Sequence, residues 1–274
     1  MNAKEFYRFL GFEPYRHQRE AYEKIFSLAE GGGCIVIKAP TAAGKTEAAV
    51  APYFAGVKDC SYPFAKLIYV LPTRALANAQ RKRLEGISKK LGLNLRIVVD
   101  HGSAYHKPML NGDVVVCTLD AFVYGFAAQR TFGHRLHYPM GCIASSLVVF
   151  DEVQMYQDEE YYMPWLIGKV MKYLHKSRIP FVVMTATLPE KLEEILFDGV
   201  DISDEIVAKT AKRGSVDVYL EEGQLLQSVE AFIEAINSSQ KVGIILNQVP
   251  KAQEVFKLIK NKAVSYTHLT LPTN

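Results

Sequence analysis

The sequence predicts an α/β fold in which a parallel sheet is flanked by helices. Short β-branched runs alternate with longer segments of helical periodicity from residue 34 to about residue 196, as in parallel strands joined by helical crossovers. A Gly-Lys-Thr triplet follows the first run, and polar motifs follow several of the others. Ligands bind beyond the carboxyl ends of parallel strands, so we expect these motifs to share one edge of the sheet.

The composition is that of a folded protein. The chain has 274 residues, of which 49% are hydrophobic and 22% charged, with a net charge of +3. Such a chain can build one large domain or two smaller ones. The mild positive charge is compatible with nucleic acid but too weak to indicate it alone. Scattered cysteines, no signal peptide and no long apolar run predict a cytoplasmic protein without membrane contact.

A phosphate-binding loop is predicted after the strand Cys34–Ile37. We expect Lys45 to reach the β- and γ-phosphates of ATP and the Thr46 hydroxyl to be a ligand of Mg²⁺. Alanine stands at two positions where such loops usually carry glycine, and alanine tolerates positive φ poorly. An ordinary turn with a surface lysine is the alternative. The predicted cofactor-binding residues of the loop are Ala39, Pro40, Thr41, Ala42, Ala43, Gly44, Lys45 and Thr46.

Two adjacent acids follow the apolar run Leu147–Phe150. We expect Asp151 to hold the metal and Glu152 to orient or deprotonate the attacking water, because hydrolysis needs both functions. With Lys45 they form the predicted catalytic set. The alternative is that the two acids only stabilise the start of a helix.

Two more polar motifs follow predicted strands. Pro72, Thr73 and Arg74 come after Lys66–Leu71, and the hydroxyl and guanidinium groups suit nucleic-acid phosphates. Thr185-Ala186-Thr187 comes after Phe181–Met184. Gln18, about twenty residues before the loop, carries an amide that can both donate to and accept from an adenine edge. A solvated helix glutamine is the alternative.

The remaining predicted elements follow in chain order. Two helices lie within 3–30 and are broken near Gly11, strands follow at Asn94–Val99 and Asp113–Cys117, a short helix runs to Phe126, and a loop covers 128–142. Helices are predicted over Asp158–His175 and from Pro189, and a linker over 200–215; after the linker come strands at Val216–Leu220 and Val242–Leu246 and helices over 225–237 and 249–261.

These motifs resemble those of superfamily 2 helicases, and within them the CRISPR-associated helicase of type I systems. The resemblance covers roughly residues 5–255. The matching segments are residues 15–18 (Q motif), 39–46 (motif I), 72–76 (motif Ia), 151–154 (motif II) and 185–189 (motif III). Thr118-Leu119-Asp120 and the run after Gly44 point to the CRISPR branch. Gln154 departs from the family pattern, which usually has histidine there.

The resemblance implies a RecA-like P-loop NTPase domain followed by the start of a second RecA-like domain. The expected boundaries are 1–205, 206–262 and a spurious tail at 263–274. It further implies nucleic-acid contacts by Pro72, Thr73, Arg74 and Asp120. It also implies coupling of ATP hydrolysis to motion, and the residues implied for this coupling are Gln154, Thr185, Ala186 and Thr187.

The expected function is ATP-dependent unwinding of nucleic acid, with single-stranded DNA favoured, in CRISPR interference. The resemblance implies a stand-alone helicase with a separate histidine-aspartate nuclease and an RNA-guided surveillance complex as partners. We expect the chain to be C-terminally truncated, to bind ATP and to be catalytically incomplete, because no arginine follows residue 246. The alternatives are an RNA helicase, a DNA-repair translocase, or a non-motor nucleotide-binding module.

Overall fold

The computed structural model of the protein describes residues 1–102, 109–129, 137–156, 158–208, 244–246 and 248–262. The chain divides into two compact units, Met1–Ala211 and Lys212–Asn274. The first unit contains all the predicted site residues. The domain boundaries at residues 205 and 262 stay a prediction. No helix in the described part of the chain is long and apolar enough to cross a membrane.

A parallel sheet forms the centre of the first unit. Its strands, in chain order, are β1 (Cys34–Lys38), β2 (Lys66–Leu71), β3 (Ile97–Asp100), β4 (Val114–Thr118), β5 (Ser146–Phe150), β6 (Phe181–Thr185) and β7 (Ile202–Val207). Their order across the sheet is β3-β4-β2-β5-β6-β1-β7, and every recorded pairing is parallel. The predicted α/β class is confirmed.

Helices cover both faces of the sheet. In chain order they are α1 (Ala3–Leu10), α2 (Arg16–Gly31), α3 (Lys45–Lys58), α4 (Arg74–Lys90), α5 (Leu119–Phe126), α6 (Tyr138–Ala144), α7 (Tyr162–Lys176), α8 (Glu190–Leu196) and, in the second unit, α9 (Val249–Lys262). Helices α1 to α4 share one apolar core with alternate residues of the strands, and α5 to α8 share the other. The central strands are buried on both faces, which explains their unbroken apolar runs.

The strand β7 corrects the prediction of a linker over residues 200–215. It pairs with β1 at the edge of the sheet and carries alternating polar residues. Asp204 forms an ion pair with Lys24, and Glu205 forms one with Lys38. An edge strand can carry such charges because one side of it faces solvent. The acidic composition therefore hid a strand.

Further differences concern helices and strands. The predicted loop over 128–142 contains the start of α6, and α7 begins at Tyr162, four residues after the predicted start at Asp158. The third strand runs from Ile97 to Asp100 and not from Asn94. The strand Val216–Leu220, the helix 225–237 and the tail 263–274 lie outside the described residues, and residues 244–246 form no strand.

Candidate nucleotide-binding site

The loop between β1 and α3 closes around the ammonium group of Lys45. This residue is the first of α3, and only 8% of its surface is exposed. Its Nζ donates to the carbonyl oxygens of Ala39, at 2.8 Å, and Pro40, at 3.4 Å. Gly44 has a φ of 76°, a left-handed conformation that glycine adopts without strain. The loop thus places a buried cation beside the N-terminus of a helix, which is an arrangement that binds phosphate.

The first turn of α2 holds the loop from behind. Gln18 accepts a hydrogen bond from the backbone N–H of Tyr15 at 2.9 Å and donates one to the carbonyl oxygen of Gly44 at 3.1 Å. Nε2 of His17 lies 2.9 Å from the carbonyl oxygen of Ala43. A Cβ atom at Gly44 would lie 2.4 Å from Nε2 of Gln18. Gln18 is 1% exposed and contacts the loop through this hydrogen bond to Gly44. Its role in reading adenine stays a prediction.

The two predicted metal ligands lie on either side of one tyrosine hydroxyl. Tyr69 donates to Oδ2 of Asp151 at 2.6 Å, and its Oη lies 3.4 Å from Oγ1 of Thr46. The other carboxylate oxygen of Asp151 accepts the backbone N–H of Glu152 at 2.9 Å. Tyr69 is fully buried, and Thr46 and Asp151 are 5% and 8% exposed. The structure therefore brings the threonine of the loop and the first acid together.

Burial shapes the ionisation of this cluster. It raises the pKa of the Asp151 carboxyl, although the hydrogen bond from Tyr69 acts in the opposite direction. Burial, followed by the adjacent Asp151 charge, raises the pKa of the Tyr69 hydroxyl well above its ordinary range. The tyrosine therefore stays protonated and serves as a donor. A buried carboxylate that is costly to ionise gains from a nearby cation.

A polar chain connects Glu152 with the end of β6. Nε2 of Gln154 donates to Glu152, and Oε1 of Gln154 accepts from the hydroxyl of Thr185 at 2.7 Å. The backbone N–H of Thr187 donates to the same hydroxyl at 3.2 Å, and Ala186 lies between the two threonines. Glutamine thus connects the acid motif with the Thr-Ala-Thr motif in the place where the family usually has histidine. The role of this chain in coupling stays a prediction.

The predicted nucleic-acid residues lie together at a separate part of the same sheet edge. Pro72, Thr73 and Arg74 follow β2, and Asp120 lies in the first turn of α5, after β4. These two strands are paired with Leu71 opposite Thr118, so the two segments are neighbours. The backbone N–H of Leu76 donates to the Thr73 hydroxyl at 3.3 Å, which caps α4. Thr73, Arg74 and Asp120 are exposed, as a binding surface requires.

A cavity of about 310 Å³ opens beside the loop. It is lined by Pro40, Thr41, Ala42, Gly44, Lys45, Thr46, Leu71, Leu76, Ala79, Gln80, Arg83, Asp151 and Glu152. These residues fit a magnesium nucleotide, since a hydroxyl and a carboxylate are hard oxygen ligands beside a cation for phosphate. The described residues contain no cluster of three or more His, Cys, Asp or Glu that could hold a metal. Magnesium usually binds to one or two carboxylates together with substrate phosphates, so the small ligand set suits it.

Several residues in or next to the cavity were not predicted: Gln80 and Arg83 line it, and Tyr69 contacts the lining residues Thr46 and Asp151. Tyr69 interrupts an aliphatic strand, and a buried tyrosine usually needs a polar partner, which was an available signal. Arg83 of α4 forms a two-pronged ion pair with Glu47, with N–O distances of 2.7 and 2.8 Å. Nε2 of Gln80 is buried without a partner among the described residues. The helical spacing of Leu76, Gln80 and Arg83 predicts that they share one face of α4, but it does not predict that this face lines the cavity.

The sequence matches the model of the DEAD/DEAH box helicase family over residues 15–195. The CRISPR-associated helicase Cas3 of Thermoproteus tenax is 31% identical over 258 residues, which are 88% of this chain and 44% of the relative. The chain thus spans less than half of that relative's length.

Solved structures show the same fold. Cas3 of T. fusca with ATP superposes with a TM-score of 0.67 at 20% identity, covering 95% of this chain and 35% of that protein. The DUF1998 helicase MrfA bound to DNA superposes with a TM-score of 0.69 at 19% identity, covering 92% of this chain and 36% of MrfA. These likenesses confirm the RecA-like helicase fold. The match of the family model over residues 15–195 establishes that the chain belongs to the DEAD/DEAH box helicase family.

Proposed function

We propose that this chain binds ATP with Mg²⁺ in the cavity beside its phosphate loop, as the first motor domain of a nucleic-acid helicase. One observation carries the proposal. Lys45 and Thr46 from the loop line the same cavity as Asp151 and Glu152 from the end of β5. ATP hydrolysis needs three things in one place: a cation that binds phosphate, two oxygen ligands for the metal, and a carboxylate that activates water.

Each residue has a distinct task in this proposal. Lys45 exchanges its loop carbonyl partners for the β- and γ-phosphates. Thr46 and Asp151 would hold Mg²⁺, which would supply positive charge beside the phosphate oxygens. Glu152 accepts a proton from the attacking water as the water oxygen bonds to the γ-phosphorus and the bond from that phosphorus to ADP breaks. Gln154 and Thr185 connect Glu152 to β6 and so to the segment that follows it.

The substrate proposal is single-stranded DNA in CRISPR interference. Support comes from the Cas3 relatives and from the exposed side chains of Thr73, Arg74 and Asp120 beside the partly buried Pro72. The partners that follow from this role are a separate histidine-aspartate nuclease and an RNA-guided surveillance complex. Binding assays with single-stranded DNA and RNA of identical sequence test the substrate. Preference for RNA would instead favour an RNA helicase, and binding to neither would favour a non-motor module.

The nucleotide site is tested by equilibrium binding of a fluorescent ATP analogue to residues 1–274 in Mg²⁺. Lys45→Ala removes the buried cation, and loss of such a charge-assisted contact should weaken binding by about tenfold or more. Lys58→Ala, at the other end of α3, is the matched control and should bind normally; Lys58 donates to the carbonyl oxygen of Leu91, away from the cavity. Equal affinity of Lys45→Ala and the unaltered chain would refute the phosphate-loop assignment.

A further inference from the structure

The hydroxyl of Tyr69 lies between the two residues proposed to hold the metal. Tyr69 is in the middle of β2 and is fully buried. Its only polar side-chain atom is 2.6 Å from Asp151 and 3.4 Å from Thr46. Leu67 and Leu71 occupy the same face of the strand. The apolar neighbours on this face have no need of a hydroxyl, so packing alone does not account for one here.

The directions of the hydrogen bonds follow from the chemistry of the groups. A tyrosine hydroxyl has one hydrogen, and a carboxylate oxygen accepts, so Tyr69 donates its hydrogen to Asp151. Towards Thr46 the tyrosine oxygen can then only accept. The hydrogen of the Thr46 hydroxyl is therefore drawn towards Tyr69, and the lone pairs of Thr46 remain for another partner. The backbone N–H of Glu152 holds the second oxygen of Asp151.

We propose that Tyr69 is a positioning residue that presets the magnesium site by orienting the Thr46 hydroxyl and the Asp151 carboxylate before nucleotide arrives. The inference rests on the proposed function, because it assumes that these two residues serve Mg²⁺. Residues that orient metal ligands from outside the coordination shell usually contribute strongly to metal affinity. Tyr69 does not touch the nucleotide in this proposal, and it acts only through the two ligands.

The experiment measures how much Mg²⁺ strengthens nucleotide binding. Affinity for a fluorescent ATP analogue is determined in excess Mg²⁺ and in excess chelator, and the ratio of the two dissociation constants is compared between chains. Tyr69→Phe should leave the affinity in chelator unchanged within about twofold and lower the Mg²⁺ ratio by about tenfold. Tyr53→Phe is the matched control. It removes a buried hydroxyl that donates to the carbonyl oxygen of Asp113 at 2.8 Å, and it should leave the ratio unchanged.

The outcomes separate this inference from the proposed function. Absence of ATP binding by the unaltered chain would overturn the proposed function and the inference with it. Normal Mg²⁺-dependent binding by the unaltered chain together with an unchanged ratio in Tyr69→Phe would overturn the inference alone. If Tyr69→Phe does not fold, 4-aminophenylalanine at position 69 supplies a donor of similar reach. A folded chain with this residue should keep the Mg²⁺ ratio, and loss of the ratio would contradict the inference.

Discussion

Ala42 occupies a left-handed backbone position at which glycine is usual. Its φ is 64°, and it lines the cavity beside the phosphate loop. Alanine tolerates this conformation poorly, because its Cβ atom crowds the backbone, and a non-glycine residue there costs about 1–2 kcal/mol. The loop keeps this conformation despite the backbone strain at Ala42, because Lys45 and Gln18 form hydrogen bonds to its carbonyl oxygens before and after that residue.

Ala42→Gly should stabilise the nucleotide-free chain. Relief of the left-handed strain exceeds the entropic cost of glycine, which is about 0.5–1 kcal/mol, so the expected net gain is about 0.5–1 kcal/mol. Ala43→Gly is the control, because the neighbouring residue is not in that conformation and should only lose stability. Urea unfolding of the three chains measures the difference. A loss of stability in Ala42→Gly equal to that in Ala43→Gly would contradict the strain argument.

At the scale of elements, α4 connects two surfaces. It begins with the capping residue Thr73 and with Arg74, which are exposed beyond the carboxyl end of β2. Its later turns place Gln80 and Arg83 on the wall of the cavity. One rigid helix of 17 residues thus runs from the proposed nucleic-acid surface past the proposed nucleotide. A helix of this kind can carry a displacement from one surface to the other as a single body.

Arg74→Ala should weaken the salt dependence of single-stranded DNA binding. Each phosphate contact contributes about 0.7 to the slope of log affinity against log salt, so loss of one contact should lower the slope by about that amount. Lys89→Ala is the control, since it removes an exposed cation at the other end of α4, about 22 Å away along the helix. An unchanged slope in Arg74→Ala would make this arginine an ordinary solvated residue.

The sequence predicts the elements that have a clear apolar pattern. It misses features that depend on contacts between residues far apart in the chain. Apolar runs such as Leu147–Phe150 are buried on both faces and stand out, so the acids that follow them are placed correctly. The strand β7 is missed because its acids are paired with Lys24 and Lys38, which lie far away in the chain. Tyr69 is missed for the same reason: nothing local shows that its hydroxyl reaches Asp151.

At the scale of the whole molecule, the described cavity contains few cations for catalysis. Lys45 and Arg83 are its basic lining residues, and Arg83 is held by Glu47 through two short contacts. Hydrolysis of ATP also needs positive charge on the developing γ-phosphate, and an arginine supplied for this purpose is worth about 10³–10⁵ in rate in other nucleotide hydrolases. No arginine follows Arg213 in residues 214–274.

Residues 1–274 should therefore bind ATP and hydrolyse it slowly, with little stimulation by single-stranded DNA. Steady-state phosphate release with and without DNA measures this. Glu152→Gln is the control, because it keeps the shape of the acid and removes the base, so any turnover that belongs to this site should disappear while binding remains. Fast, DNA-stimulated turnover would require a second catalytic cation.

The amide at position 154 carries no titratable proton in the range where an imidazole would. Gln154 spans Glu152 and Thr185, where the family usually has an imidazole. An imidazole changes charge close to neutrality, and its two nitrogens then change from one donor and one acceptor to two donors. A carboxamide keeps one donating and one accepting end throughout that range. Gln154 therefore offers the same donor to Glu152 and the same acceptor to Thr185 throughout that range.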